Sequence, residues 1–266
     1  MQTHFGNSRC FDSIYTQSIY HFQNQIIMKY TLYIVMPAYN EEANIEDVIK
    51  QWHPVCERIN QEGNEAKLVI ANDGSKDNTF TIMQGLCNQY PHLLPINKPN
   101  SGHGATVLYL YRYATNTGAN FVFQTDSDGQ TLPEEFWQLW EHRHEYDFQI
   151  GTRGGREDGA SRVFVTKVLR WVVWLMFGVW VKDANTPFRL MNVDHLQAIM
   201  QLIPEDFFLA NVAVSAIAVK KKEKIAWYPI TFRPRQGGVN SINMKRIFKI
   251  GVKALGDFRM INKNLK

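Results

Sequence analysis

Cysteine is scarce in this 266-residue chain. The three that occur, Cys10, Cys56 and Cys87, are scattered, and no Cys-x-x-Cys pair is present. That excludes a disulfide framework, a zinc ribbon and a thioredoxin-like redox motif, and it fits a reducing compartment. Long apolar runs are missing too. The longest, Trp171 to Val181, has 11 residues, whereas a membrane-spanning helix needs roughly 20. Neither sign of charge dominates. The 29 basic and 25 acidic residues leave +4, too mild for a dedicated nucleic-acid binder, and no nucleic acid is expected as a partner. No Gly-Lys-Ser/Thr closes a glycine-rich loop, so a Walker phosphate loop is excluded. The first 28 residues lack a basic segment leading into an apolar one, which argues against a secretory signal. They are rich in Gln, Asn, Ser and Tyr and read as a flexible extension. The apolar 45% and charged 20% exclude disorder, collagen and coiled coil.

What remains is a regular alternation. Tyr30–Pro37, Ala66–Ala71, His92–Asn97 and Asn120–Thr125 read as strands. Glu42–Asn60, Lys76–Tyr90 and His103–Thr115 between them read as helices. Strands alternating with helices predict βαβ units and a mostly parallel sheet. Ligands of such sheets bind beyond the carboxyl ends of the strands, where Asn40-Glu41, Asp73 and Asp126/Asp128 fall. The second half is less regular. Asp147–Gly151 and Ile225–Phe232 read as strands. Arg162–Trp180, Asn192–Leu202, Phe207–Lys220 and Ile242–Met260 read as helices.

Several short motifs carry chemistry. Asp126-Ser127-Asp128-Gly129-Gln130 offers two carboxylates and a neutral oxygen, hard ligands suited to Mg²⁺ or Mn²⁺. The spacing alone equally suits an Asp-Gly turn. Asp73, in Asn-Asp-Gly-Ser, can accept from a base or a ribose, or can serve in an Asx turn. Asn100-Ser101-Gly102-His103-Gly104 is a glycine-flexed entry to a helix, able to turn backbone N–H groups toward phosphate. His103 itself reads as a loop or cap residue. Arg153, Arg156 and Arg162 concentrate guanidinium groups, the side chain suited to bidentate phosphate contacts. Arg235, beside Gly237 and Gly238, sits in a loop able to close over a site.

Taken in order, Val35-Met36-Pro37-Ala38-Tyr39-Asn40-Glu41-Glu42, Asn72-Asp73-Gly74-Ser75, Asp126-Ser127-Asp128, Asp183…Phe188-Arg189 and Arg235…Gly238 resemble glycosyltransferase family 2. Within it, the nearest resemblance is to the dolichol-phosphate mannose synthase-like branch, the polyprenyl-phosphate glycosyltransferases. The likeness runs from Tyr30 to Ser241. It implies a GT-A fold, an α/β/α sandwich around a mostly parallel sheet over residues 29–241, binding a nucleotide-sugar and a divalent cation, Mg²⁺ or Mn²⁺. It implies nucleoside contacts from Pro37, Tyr39, Glu41 and Asp73. Asp126 is expected near the ribose and diphosphate, with Asp126, Asp128 and Gln130 around the metal. Arg153, Arg162 and Thr166 match positions expected on the acceptor phosphate, and Arg235 matches an arginine that approaches the donor diphosphate.

The implied reaction is an inverting transfer of a hexose to a polyprenyl phosphate. Transfer to a hydroxyl of a surface glycan is the alternative, and would need a carboxylate base, for which Asp183 is the candidate. A non-catalytic nucleotide-sugar-binding protein is the third reading. Residues 242–266 carry seven basic residues and one acidic, a local +6. A basic amphipathic helix there reads as membrane-surface binding. The tryptophan-rich run Trp171–Val181 suits either a buried core helix or an interfacial segment. The expectation is a peripheral enzyme on the cytoplasmic face of a membrane.

Overall fold

The structure, a computed structural model, describes residues 29–153, 160–234, 255–263 and 265, with the side chains of 160–168 excepted. The chain runs β1 (Thr31–Ala38), α1 (Ile45–Gln61), β2 (Glu65–Asp73), α2 (Thr79–Leu86), β3 (Leu93–Lys98), α3 (His103–Asn116), β4 (Phe121–Gln124), α4 (Phe136–Glu141) and β5 (Phe148–Arg153). It continues through α5 (Ala160–Phe177), β6 (Arg189–Asn192), α6 (Val193–Met200), α7 (Ala210–Lys220) and β7 (Ile225–Ile230). A last helix, α8, covers residues 255–263.

The strands form a seven-stranded sheet in the order β3-β2-β1-β4-β6-β5-β7. All pairs are parallel except those of β6, which runs against both β4 and β5. Helices cover both faces, so the strands are apolar on both sides, as parallel sheets require. Period-two alternation along β1 sends Tyr33 and Val35 into one apolar layer with Tyr111, Met191 and Val214. It sends Leu32, Ile34 and Met36 into the other with Trp52, Phe123 and Phe188. This is a GT-A-like α/β sandwich. Strand order reverses between β1 and β4, and the crevice beyond their carboxyl ends is where such a sheet receives a ligand.

Three features differ from the reading of the sequence. Helix α2 begins at Thr79 rather than Lys76, because side chains hold the preceding residues in a turn: Lys76 N donates to Asn40 Oδ1 at 2.8 Å, Asn78 N to Glu42 Oε2 at 3.0 Å, and Thr79 N to Asp77 Oδ1 at 3.1 Å. Strand β6 and helix α4 were not anticipated. The first is only four residues long and opens on an arginine. The second is a six-residue aromatic segment. The extension 1–28 and residues 242–254 lie outside the described residues.

Candidate active site

The loops after β1, β2 and β4 are laced together. Asn40, at a left-handed φ of 54° that asparagine tolerates better than most residues, donates its backbone N–H to Ser75 Oγ at 2.9 Å. Its Oδ1 accepts from Lys76 N at 2.8 Å. Tyr39 beside it is 43% exposed. Glu41 is buried, accepts from Asn44 Nδ2 at 2.8 Å, and donates its N–H to Thr79 Oγ1 at 2.9 Å. Its observed partners thus anchor the entry to α1. The Pro37 carbonyl accepts from Ser127 Oγ at 2.8 Å, which pins the β4 loop to β1.

That pin explains the spacing of the two aspartates. From Thr125 to Gln130 the chain alternates: Thr125, Ser127 and Gly129 are buried, while Asp126, Asp128 and Gln130 stay partly open. The two carboxylates therefore leave the strand end on the open side. Gly129 takes φ +72°, a conformation open to glycine at no steric cost. The donor set fits Mg²⁺ or Mn²⁺: two half-buried carboxylates supply hard oxygens at the switch point. Gln130 is already engaged. Its Nε2 donates to Arg233 O at 2.7 Å, and its carbonyl accepts from Arg233 N at 2.8 Å. The residue expected at the metal thus ties the aspartate loop to the segment that leads into Arg235.

Asp73 is 3% exposed and fully occupied by its own surroundings. Oδ1 accepts from Lys98 Nζ at 2.5 Å and Ser101 N at 2.8 Å, and Oδ2 from Gly102 N at 2.9 Å. Burial pushes its carboxyl up, but the hydrogen bonds from Lys98, Ser101 and Thr106 and the charge of Lys98 outweigh this and hold it below the usual carboxylate range. Asp73, expected at the nucleoside, also joins β2, β3 and the entry to α3. Gly74, at φ +64°, is required there, since a Cβ would fall 2.8 Å from Asn100 N. The first turn of α3 is fixed from the other side: a Cβ on Gly104 would fall 2.1 Å from Phe208 O.

Sequence reading set His103 aside, yet it faces the metal-type carboxylates. Its Nε2 lies 3.1 Å from Asp126 Oδ1. Desolvation in the recess lowers its pKa, and the carboxylates of Asp126, Asp128 and Asp73 raise it by more, for a net upward shift. The signal available in the sequence was a histidine between two glycines at a helix entry.

Arg153, expected on an acceptor phosphate, does not stand free at the end of β5. Nε and Nη2 clasp Asp183 at 2.9 and 2.8 Å, and the guanidinium lies 5.4 Å from the centre of the Phe232 ring. Burial raises the Asp183 carboxyl, but the hydrogen bonds and charge of Arg153 dominate and set it at about 2. Arg189 braces the same segment from below. It is completely buried and donates to the carbonyls of Thr186, Ala184 and Asn211 and to Ser215 Oγ. Arg162 and Thr166 fall within α5, but their side chains lie outside the described residues, as does Arg235.

A separate cluster sits at the opposite, amino-terminal end of β5. His195 approaches Glu223 Oε2 with Nδ1 at 2.6 Å and Asp147 Oδ1 with Nε2 at 3.3 Å. The three side chains bring their ligand atoms within 4.8 Å of one another, a set able to hold a metal ion at a place apart from the Asp126/Asp128 turn.

Comparison with known proteins agrees with this layout. The family model described as glycosyl transferase family 2 matches residues 33–187. The chain is 24% identical over 219 residues to the UDP-N-acetylglucosamine–dolichyl-phosphate N-acetylglucosaminyltransferase of Methanococcus voltae, covering 75% of this chain and 84% of that one. It is 23% identical to the polyprenol monophosphomannose synthase of Mycolicibacterium smegmatis, covering 80% and 82%. Among solved structures, glucosyl-3-phosphoglycerate synthase from Mycobacterium tuberculosis, with Mn²⁺ and UDP-glucose, aligns over 98% of this chain and 85% of that one. The TM-score is 0.61 at 14% identity, a likeness of fold.

Proposed function

The chain belongs to glycosyltransferase family 2, and on that premise we propose that it moves a hexose from a nucleotide-sugar of the GDP-mannose or UDP-glucose type to a polyprenyl phosphate. The named activities of its relatives, on dolichyl and polyprenyl phosphate carriers, support this acceptor class. The observation in the structure that carries it is the Asp183–Arg153 clasp. A sugar hydroxyl must lose a proton as it attacks, and a base helps most when its pKa lies near the working pH. Asp183, held at about 2 and bound twice by a guanidinium, is a poor base. A phosphate monoester is already ionised near neutrality, with a second pKa of about 6, and needs none.

The residues then take these parts. Tyr39 offers its exposed ring to the base, with Pro37 and Glu41 shaping the loop around the nucleoside and Asp73 stiffening its floor. Asp126 and Asp128 hold the divalent cation, with Gln130 joining the two flanking loops. Bound there, Mg²⁺ or Mn²⁺ supplies positive charge against the departing nucleoside diphosphate. Arg235 approaches the same diphosphate. Arg153 and Arg162, with the Thr166 hydroxyl, orient the acceptor phosphate and offset its repulsion from the donor. Attack from the face opposite the leaving group inverts C1. The enzyme works as a peripheral protein on the cytoplasmic face of a membrane. Among the described residues no helix is long and apolar enough to cross one.

The test is transfer of labelled sugar from GDP-mannose and UDP-glucose, with Mg²⁺ or Mn²⁺, to polyprenyl phosphate in detergent. The expected result is a lipid-linked monosaccharide of inverted anomeric configuration. Failure with every common donor, alongside transfer to a glycan hydroxyl, would overturn the acceptor assignment.

A further inference from the structure

The apolar run in and beyond α5 is divided between two environments. Val173, Phe177 and Val181 are buried at 3% exposure or less, while Trp171, Trp174, Leu175 and Trp180 are 59%, 41%, 68% and 55% exposed. The three indoles touch one another, with ring centroids 5.7, 5.4 and 5.9 Å apart. Exposed basic side chains accompany the patch. Arg170 and Lys182 are exposed within the same segment. Helix α8 packs on the end of α5 through Phe258, 5.3 Å from Phe177, and adds exposed Arg259, Met260 and Lys263, with Asp257 the one acidic group in that helix.

We infer that Trp171, Trp174 and Trp180, with Leu175, form a wedge that seats this protein in the headgroup layer of an anionic bilayer. Indole combines an apolar body with an N–H donor and prefers that depth. The four exposed cations, two in the segment of the indoles and two on the helix packed against the end of α5, match lipid phosphates. They do not match a second copy of this chain, since a self-complementary contact would set the same cations against each other.

The wedge is tied to the acceptor side of the site. Arg170, next to Trp171, donates to the carbonyl of Lys182. Asp183 follows Lys182 and clasps Arg153 at the end of β5. Seating the indoles at headgroup depth therefore sets the Arg153 edge at the depth of a lipid phosphate, a purpose that rests on the polyprenyl-phosphate reading above. The acceptor then need not leave its bilayer. The indoles, rather than the basic C-terminal segment alone, provide the apolar hold.

Two measurements on the full chain test this. In the first, vesicles of phosphatidylcholine and phosphatidylglycerol containing brominated lipid quench tryptophan emission of the unaltered protein. Absence of quenching overturns the inference without any variant. In the second, the triple variant Trp171→Ser, Trp174→Ser, Trp180→Ser is sedimented with the same vesicles. Its partition falls by about a hundredfold or more, given the indole area removed. Its transfer to a long polyprenyl phosphate in vesicles falls in parallel, and its transfer to a short, water-dispersed prenyl phosphate stays unchanged. Vesicle binding equal to the unaltered protein refutes the wedge. So does a concentration-dependent dimer that the variant abolishes without any vesicle binding. If neither acceptor is glycosylated while the variant still loses vesicle binding, the wedge stands and the acceptor assignment falls.

Discussion

Asp183→Asn separates the phosphate acceptor from the hydroxyl acceptor in one variant. The side chain is 9% exposed and that of its partner Arg153 is 12% exposed, so solvent screening is weak. The Asp183 carboxyl stands at about 2 against an ordinary 3.8, which corresponds to about 2 kcal/mol favouring the ionised clasp. Asparagine keeps one oxygen for the guanidinium but loses the charge, so a cost of about 2–3 kcal/mol is expected, below the roughly 3–5 kcal/mol of an outright broken buried pair. For a domain of this size that lowers Tm by about 4–10 °C. The depressed carboxyl fixes the pH behaviour: its contribution is complete above the unfolded value near 4 and lost as pH falls through 2. Differential scanning fluorimetry should therefore show a constant gap between the two proteins at neutral pH that closes from about pH 4 down to 2. Steady-state kinetics on polyprenyl phosphate should show kcat within a few-fold, with any change carried by the acceptor KM through Arg153. Loss of a general base would instead cost about 10²–10⁴ in kcat. A fall of that size, with little change in Tm, would refute the reasoning and mark Asp183 as a base.

Asp128→Ala should abolish turnover and weaken Mn²⁺ binding measured by calorimetry, while circular dichroism stays unchanged; retained activity would remove Asp128 from the metal site. Gly104→Ala places a Cβ 2.1 Å from Phe208 O and should cost about 3 kcal/mol or more in urea unfolding; an unchanged midpoint would mean that the α3 entry is not pinned there. Asp73 is also held below the ordinary carboxylate value, so Asp73→Asn should lose stability at neutral pH and converge with the unaltered protein in acid. A difference that persists at pH 2 would assign the loss to packing rather than charge.

The fold of the β1–β2–β4 half was readable from the sequence because its signals are local. β1, β2 and β4 are apolar runs that lead into Asn40-Glu41, Asp73-Gly74 and Asp126-Ser127-Asp128, at the end of a parallel sheet where ligands are received. What the chain concealed depends on distant partners. The motif of Asp73 does not reveal that Lys98, 25 residues on, donates to one of its oxygens. Asp183 looks like a base until Arg153, 30 residues earlier, takes both of its oxygens. β6 escaped notice because it is short, antiparallel and begins with Arg189, whose burial is satisfied by carbonyls from Thr186, Ala184 and Asn211. The tryptophan run resisted assignment because it has no polar face. Only the packing of Val173, Phe177 and Val181 decides which side turns outward.

The reversed direction of β6 has a consequence for how the two halves of this enzyme can change. A parallel strand delivers to the crevice the loop that leaves it; β6 delivers the segment that enters it, with Arg189 paired to Gln124 in register. The stretch from Asp183 to Phe188 thus reaches the crevice without a helical crossover that must wind in one fixed hand. Length and composition can drift between α5 and β6 while the β1–β2–β4 register, and the nucleotide chemistry it supports, stays as it is. On the proposed reading, new acceptors become accessible by editing one inbound segment while the β1–β2–β4 loops are inherited intact.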